Sequence, residues 1–266
     1  MQKNPTMKME HCKICGKESK EIFQETILKK YLVTYFQCKN CGFVQTEDPF
    51  WLPESYKESM NLGDTGQVKR NFINAIKVKY LINNVLNPNG HFLDYAGGYG
   101  LFTRTMRDFG YSFFWEDLYT SNLLAKGFSA ENKSLNRFEA ITVFECFEHW
   151  ENPIQEISNL FSKTDTIIFT TNLISNPLPP KDWWYYGFDH GQHISFFSIE
   201  TMKYLEKKFD CRFYSKAGIH ILSKRKMNTI LINTSIFKAK ILLFFIGIQN
   251  SKSLTTLDHK ALTTNN

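Results

Sequence analysis

The sequence has no apolar run long enough to span a bilayer. Its longest, Ile241–Ile248, has eight residues, against roughly 20 for a membrane-crossing helix. Met1–Glu10 is polar and lacks the apolar stretch of a secretory leader, so a cytoplasmic location is expected. Charged residues make up 22% and apolar residues 42%, which excludes wholesale disorder and collagen-like repeats. A strong charge on the folded part is also missing. The net charge of +6 splits into +1 over residues 1–60, +1 over 61–225 and +4 over 226–266. Nucleic-acid binding wants a basic patch on the folded module, so nucleic acid is not the expected partner.

What is present is aromatic mass and paired cysteine. The chain has 24 Phe, 12 Tyr and 5 Trp, enough for a large core and an aromatic pocket. Four of six cysteines form two Cys-x-x-Cys-Gly knuckles, Cys12/Cys15 and Cys38/Cys41. That is the spacing of a four-thiolate zinc site, and four thiolates close the coordination sphere, so the metal is structural. Without a secretory leader, disulfides are the poorer reading. Leu32–Gln37 between the knuckles reads as a strand, as in a zinc ribbon. His11 reads as a solvated neighbour, and Cys146 and Cys211 as small core residues.

A linker, Thr46–Gly66, leads to Gln67–Leu86, whose apolar residues follow a helical period up to the breaker Asn87-Pro88-Asn89-Gly90. His91–Asp94 then reads as a strand ending in Asp94-Tyr95-Ala96-Gly97-Gly98-Tyr99-Gly100, with Leu101–Phe109 helical. Strand, glycine turn and helix let a nucleotide-like ligand approach the backbone at a helix N-terminus. A second strand, Tyr111–Trp115, ends at Glu116-Asp117, where an acid would hold ribose hydroxyls. An acid before the glycines suits a cofactor with an amino-acid ammonium group. Further strands are expected at Glu139–Phe144 and Thr166–Thr171, with a helix running to Phe161.

With these motifs assembled, residues 67–225 resemble the class I S-adenosylmethionine (SAM) methyltransferases, with Ala96 in place of the loop's first glycine. The resemblance implies an α/β fold, a Rossmann-like seven-stranded sheet, joined to the small zinc ribbon. It places SAM against Asp94, Ala96, Gly97, Gly98, Gly100, Glu116, Asp117, Phe144 and Glu145. Domains are expected at 1–60 (ribbon and linker), 61–225 (methyltransferase) and 226–266 (basic, apolar tail). Gln192-His193-Ile194-Ser195-Phe196-Phe197-Ser198, His149 and the ribbon together look like the sugar-nucleotide C-methyltransferases and the methyltransferases of surface-polysaccharide clusters. Gln192 stands where the sugar enzymes usually have Glu, and residues 226–266 are too short to match their long C-terminal domain.

The expected acceptor is therefore a sugar nucleotide or related metabolite. Asn172–Ser198 follows a strand at the ligand-binding edge of such a sheet and holds Trp183, Trp184, Tyr185, Tyr186, His190 and His193. Aromatic faces beside imidazoles suit a sugar ring. His193 is the leading base, His149 a second or orienting group, and Tyr56 a linker residue expected at the site. Two alternatives are a zinc-ribbon ribosomal-RNA base methyltransferase and a SAM-fold scaffold that binds a protein. The first lacks an Asn/Asp-Pro-Pro-aromatic motif. The tail reads as a packed helix, a dimer element or a basic segment at a membrane surface.

Overall fold

The structure, a computed structural model, describes residues 9–57, 64–133, 135–247 and 253–263. Linker residues 58–63, with Gly63, and tail residues 248–252 and 264–266 lie outside the described residues. In chain order the elements are β1 (Met9–His11), β2 (Glu18–Ile27), β3 (Tyr31–Cys38), β4 (Val44–Thr46), α1 (Leu52–Ser55) and α2 (Gln67–Val85). There follow β5 (His91–Tyr95), α3 (Leu101–Asp108), β6 (Ser112–Glu116), β7 (Ala140–Phe144), α4 (Pro153–Lys163) and β8 (Thr166–Thr170). The last are β9 (Ser195–Phe196), α5 (Ile199–Phe209), β10 (Arg212–Lys216), β11 (Ile219–Ser223), α6 (Thr229–Phe245) and α7 (Thr255–Thr263).

The chain forms two compact units, each assembled from separated segments. Unit 1 is Met1–Lys57, Glu145–Asn159 and Thr171–Phe213; unit 2 is Glu58–Phe144, Leu160–Thr170 and Tyr214–Asn266. Packing thus divides the chain differently from contiguous segments at 1–60, 61–225 and 226–266. The reason is pairing at long range. In unit 1, β9 joins the ribbon strands to give a sheet of order β1-β2-β3-β4-β9, with Val44 opposite Phe196 and Gln45 opposite Ser195. α5 starts on a capping box in which Ser198 and Thr201 satisfy each other's backbone N–H groups. The Thr201 hydroxyl also donates to the Cys41 carbonyl at 2.9 Å.

Unit 2 contains the α/β sheet, of order β10-β11-β8-β7-β5-β6. β6, β5, β7 and β8 run parallel, and β11 is antiparallel to β8. Their near-continuous burial is what a parallel sheet between helices requires. Ala217 and Gly218 both have positive φ, the geometry of a tight hairpin turn between β10 and β11. Six strands are present among the described residues, where seven were expected. At the outer edge of β6 the place of a seventh is held by a single parallel bridge, Trp115 to Ser129.

α2 ends where expected: Leu86 is extended, as a position near Pro88 favours. The tail belongs to unit 2, because Ala239 and Leu243 of α6 pack with Ile76 of α2 and its neighbours Phe72, Ile73 and Tyr80. β5 lies between β6 and β7, so the strand order reverses there. At such a switch point the crevice beyond the carboxyl ends of the strands takes ligand.

Candidate functional site

The glycine turn follows β5 at that switch point. Ala96, Gly98 and Gly100 all have positive φ, +55°, +54° and +85°. The left-handed region is cheap for glycine and strained for alanine, so Ala96 is held there by its surroundings. A Cβ on Gly97 would lie 2.7 Å from Asp94 Oδ2 and 2.8 Å from Trp115 Cδ1, so no side chain fits. At Gly98 the opposite holds: a Cβ would meet only the Gln67 amide nitrogen, at 3.9 Å. The backbone there borders open space, which is the room a cofactor needs.

Two carboxylates frame the turn. Asp94 is buried, accepting from the Thr103 hydroxyl at 2.8 Å and the Thr142 hydroxyl at 3.3 Å. Burial raises its pKa to about 7, and Asp117 adds to the rise. Asp117 accepts from the Gly98 N–H at 2.9 Å, and from the N–H groups of Tyr119 and Thr120 at 2.8 Å each. It is thereby fixed at the glycines. Glu116 points elsewhere, into an ion pair with Lys163 at 3.0 Å. Phe144 ends β7 with its ring 4.8 Å from that of Phe102 on α3. Glu145, φ +50°, is the next residue in the chain and belongs to unit 1.

In unit 1 the structure brings Tyr56, Glu148, His149 and His193 together. The Tyr56 hydroxyl is 2.9 Å from His149 Nδ1, and the rings of His149 and His193 meet edge-on at 5.0 Å. His193 Nδ1 lies 2.6 Å from the Tyr185 carbonyl. A carbonyl only accepts, so Nδ1 carries the hydrogen and Nε2 is left as a free lone pair. Burial lowers the pKa of His193 to about 3, helped by His149; burial lowers that of His149 to about 4, helped by His190. Both imidazoles are neutral at physiological pH. His190 completes the cluster, its ring 4.7 Å from that of His193 and its Nδ1 accepting from the Gln192 N–H at 3.1 Å.

Glu148 is the residue that the sequence reading missed. Its carboxylate is fully buried and neither oxygen has a well-formed hydrogen bond. One ligand-type atom each from Glu148, His149 and His193 falls within 4.8 Å of the others. Burial, with Glu145 nearby, raises its pKa to about 8, against a smaller opposing influence from the Tyr185 and Thr171 hydroxyls. At neutral pH Glu148 is a carboxylic acid beside two neutral imidazoles. Its only sequence signal was adjacency to His149.

The aromatic insert differs from an open platform. Tyr185 and Tyr186 are buried in the core of unit 1 with Tyr35, Trp51 and Phe196, while Trp184 is 73% exposed. Gln192 is also structural in its contacts, its amide donating to the Ser55 carbonyl at 2.8 Å. Cys211 is buried and Cys146 half-buried.

The four knuckle cysteines converge in unit 1. Their sulfurs lie within 4.8 Å of one another, with Cys12 to Cys41 at 3.5 Å and Cys15 to Cys38 at 3.4 Å. Tetrahedral ligation at about 2.3 Å puts sulfurs about 3.8 Å apart, so the donor set fits zinc. Backbone N–H groups of Ile14 and Cys15 face the Cys12 sulfur, and those of Asn40 and Cys41 face Cys38. The hydrogen bond from Cys41 lowers the Cys12 pKa to about 5 and raises that of Cys41: so many sulfurs cannot all be thiolates without a cation. His11 is exposed, with Nδ1 3.4 Å from the Gly16 carbonyl.

Residues 71–216 match the family profile of a methyltransferase domain. No curated protein matches the chain in sequence. Among solved structures it is similar to the plantazolicin methyltransferase BpumL in complex with SAH, at 15% identity and TM-score 0.47, over 71% of this chain and 86% of that one. Magnesium protoporphyrin IX methyltransferase from Synechocystis PCC 6803 gives 13% identity and TM-score 0.40, over 64% and 90%. CalO1, a methyltransferase in calicheamicin biosynthesis, gives 12% and 0.40 over 57% of this chain and 54% of that one. The chain thus spans about half the length of CalO1.

Proposed function

The chain belongs to the methyltransferase-domain family, and from that premise we propose that it methylates a small polar acceptor with SAM as donor. The acceptor class is a sugar nucleotide or a related metabolite of surface-polysaccharide synthesis. Asp94, Ala96, Gly97, Gly98, Gly100 and Asp117 hold the cofactor, with Phe144 and Glu145 next along the chain. Glu116, engaged with Lys163, is the less suited of the two acids at the end of β6. When bound, SAM supplies a methyl carbon on positively charged sulfur.

The observation that carries the acceptor reading is the tautomer of His193. With Nδ1–H given to the Tyr185 carbonyl, Nε2 is the atom that takes the proton shed by the acceptor's nucleophilic atom. Positioning does most of the work in such a displacement, and a base adds about 10²–10⁴-fold where a proton must leave. His149 and Tyr56 form a hydrogen-bonded pair that orients the acceptor's hydroxyls. A proton on His193 makes a cation beside Glu148, a carboxylic acid at rest, which balances that charge only by releasing its own proton to solvent. Because Gln192 replaces an acid here, Glu148 is the carboxyl that this cluster has to offer.

The four cysteines hold one structural zinc, as their convergence and the surrounding N–H groups support. The proposed reaction is tested by incubating the chain and SAM with a panel of sugar nucleotides and reading mass gain of one methyl group. A methylated product supports the reading. No heat of SAM binding, and no product from any candidate, would replace it with a scaffold that binds a protein.

A further inference from the structure

No helix among the described residues is long and apolar enough to cross a membrane, yet α6 is apolar on both of its faces. Ile232, Ser235, Ile236, Ala239 and Leu243 are buried, several of them against α2. The opposite face is bare: Ile230, Phe237, Ile241, Phe244 and Phe245 are exposed, Phe237 by 63% and Phe245 by 78%. A helix that is apolar all round is normally buried all round, and among the described residues nothing covers the outer side of this one.

The charges say which partner fits. At about 100° per residue, Ile230, Phe237, Ile241 and Phe244 form one stripe along the outer face. Lys238 and Lys240 then project about 80° to either side of it. α6 contains no acidic residue, and Lys224, Arg225 and Lys226 lie two to four residues before its N-terminal cap, Asn228, with Arg225 paired to Glu139. Burial lowers the pKa of Lys77 on α2, and the charge of nearby Lys240 adds to that. A stripe of Phe and Ile between lysines is the pattern of a helix lying in a bilayer interface. Its rings enter the acyl boundary and its lysines reach anionic headgroups. A second copy of α6 would face this stripe with more lysine and no acid.

We propose that the outer face of α6 docks in-plane on the surface of an anionic lipid bilayer, anchoring the protein without spanning the membrane. The inference is independent of the methyl-transfer reading.

The test is co-sedimentation of the full chain with two kinds of vesicle, pure phosphatidylcholine and phosphatidylcholine containing phosphatidylglycerol. Binding is expected to the anionic vesicles and to weaken as salt is raised. Phe237→Asp/Phe244→Asp should abolish it with the melting temperature unchanged, since both rings already face solvent. Lys238→Gln/Lys240→Gln should weaken it roughly 30-fold, from about fivefold for each surface lysine. Failure to bind anionic vesicles, or binding that both double variants leave intact, overturns the proposal. So does a dimer in solution that the Phe variants dissociate while no vesicle binds, because the face is then a contact between copies.

Discussion

An imidazole whose Nδ1–H is committed to a carbonyl can act only through Nε2, which makes His193→Asn an informative change. The Asn amide can still donate to the Tyr185 carbonyl but offers no base. If His193 removes a proton, turnover should fall by about two to four orders of magnitude with SAM affinity unchanged. A rise confined to the acceptor's KM would mean that His193 orients the acceptor instead, and no change in either would make it structural. Glu148 yields a prediction with a definite sign. Its folded pKa of about 8 lies above the ordinary 4.5, so between those values the folded state keeps a proton that the unfolded state has lost. Stability from this group therefore falls as pH rises through that window, by about 1.4 kcal/mol per pH unit for one proton. Glu148→Gln should melt close to wild type near pH 4.5 and above it near pH 8; parallel melting curves at all pH values would show that Glu148 is ionised when folded. Asp94, raised to about 7, acts in the same sense and persists in the variant. His149 and His193 act in the opposite sense, costing stability as pH falls below 6.5 towards about 4 and 3. His149, His193 and Tyr56 were legible as candidates because their residue types announce chemistry. Glu148 was not, since a glutamate in a short turn reads as solvated until the fold closes over it.

At the scale of elements, the glycine turn between β5 and α3 is where local sequence says most. Its positive-φ positions fall within the glycine-rich segment, and Asp117, expected to hold ribose hydroxyls, accepts from the Gly98 N–H. A side chain at Gly98 would enter open space, so the turn can be blocked without repacking unit 2. Asparagine tolerates left-handed backbone better than other side chains, and Gly98→Asn should lower SAM affinity at least tenfold while the melting temperature stays within a few degrees. Undiminished affinity by calorimetry would put the cofactor somewhere else. α2, β5, α3, β6, β7 and β8 all fall close to their expected places, because apolar periodicity and proline or glycine breakers are properties of neighbouring residues. β9 was illegible. It is two residues long, and its partner β4 is about 150 residues away in the sequence. The inward packing of the aromatic insert was illegible for the same reason: Tyr185 and Tyr186 are buried with Tyr35 and Trp51, from a distant part of the chain.

For the whole molecule, the consequential fact is that the cysteine ribbon and the histidine cluster share one compact unit. Contiguous reading makes the ribbon an appendage of residues 1–60, because spacing pairs four cysteines but says nothing of what packs on them. Specific bonds make the connection: Thr201 to the Cys41 carbonyl, Gln45 opposite Ser195, the Trp51 indole to the Gly191 carbonyl at 2.8 Å. In so small a ribbon, metal binding is folding energy, and its loss should travel along these bonds. Cys38→Ser, or a chelator on the wild type, should therefore take the zinc content from one per chain towards zero. Hydrogen exchange should then rise across residues 9–57 and also in 145–159 and 171–213, where His149 and His193 lie. The strands β5, β6, β7 and β8 should keep their protection, since their core is the separate cluster around Phe92, Phe102 and Phe113. Zinc retained in full by Cys38→Ser would defeat the four-cysteine site. Zinc lost with exchange changing only in residues 9–57 would leave that site standing and sink the idea that the metal holds the histidine cluster in shape.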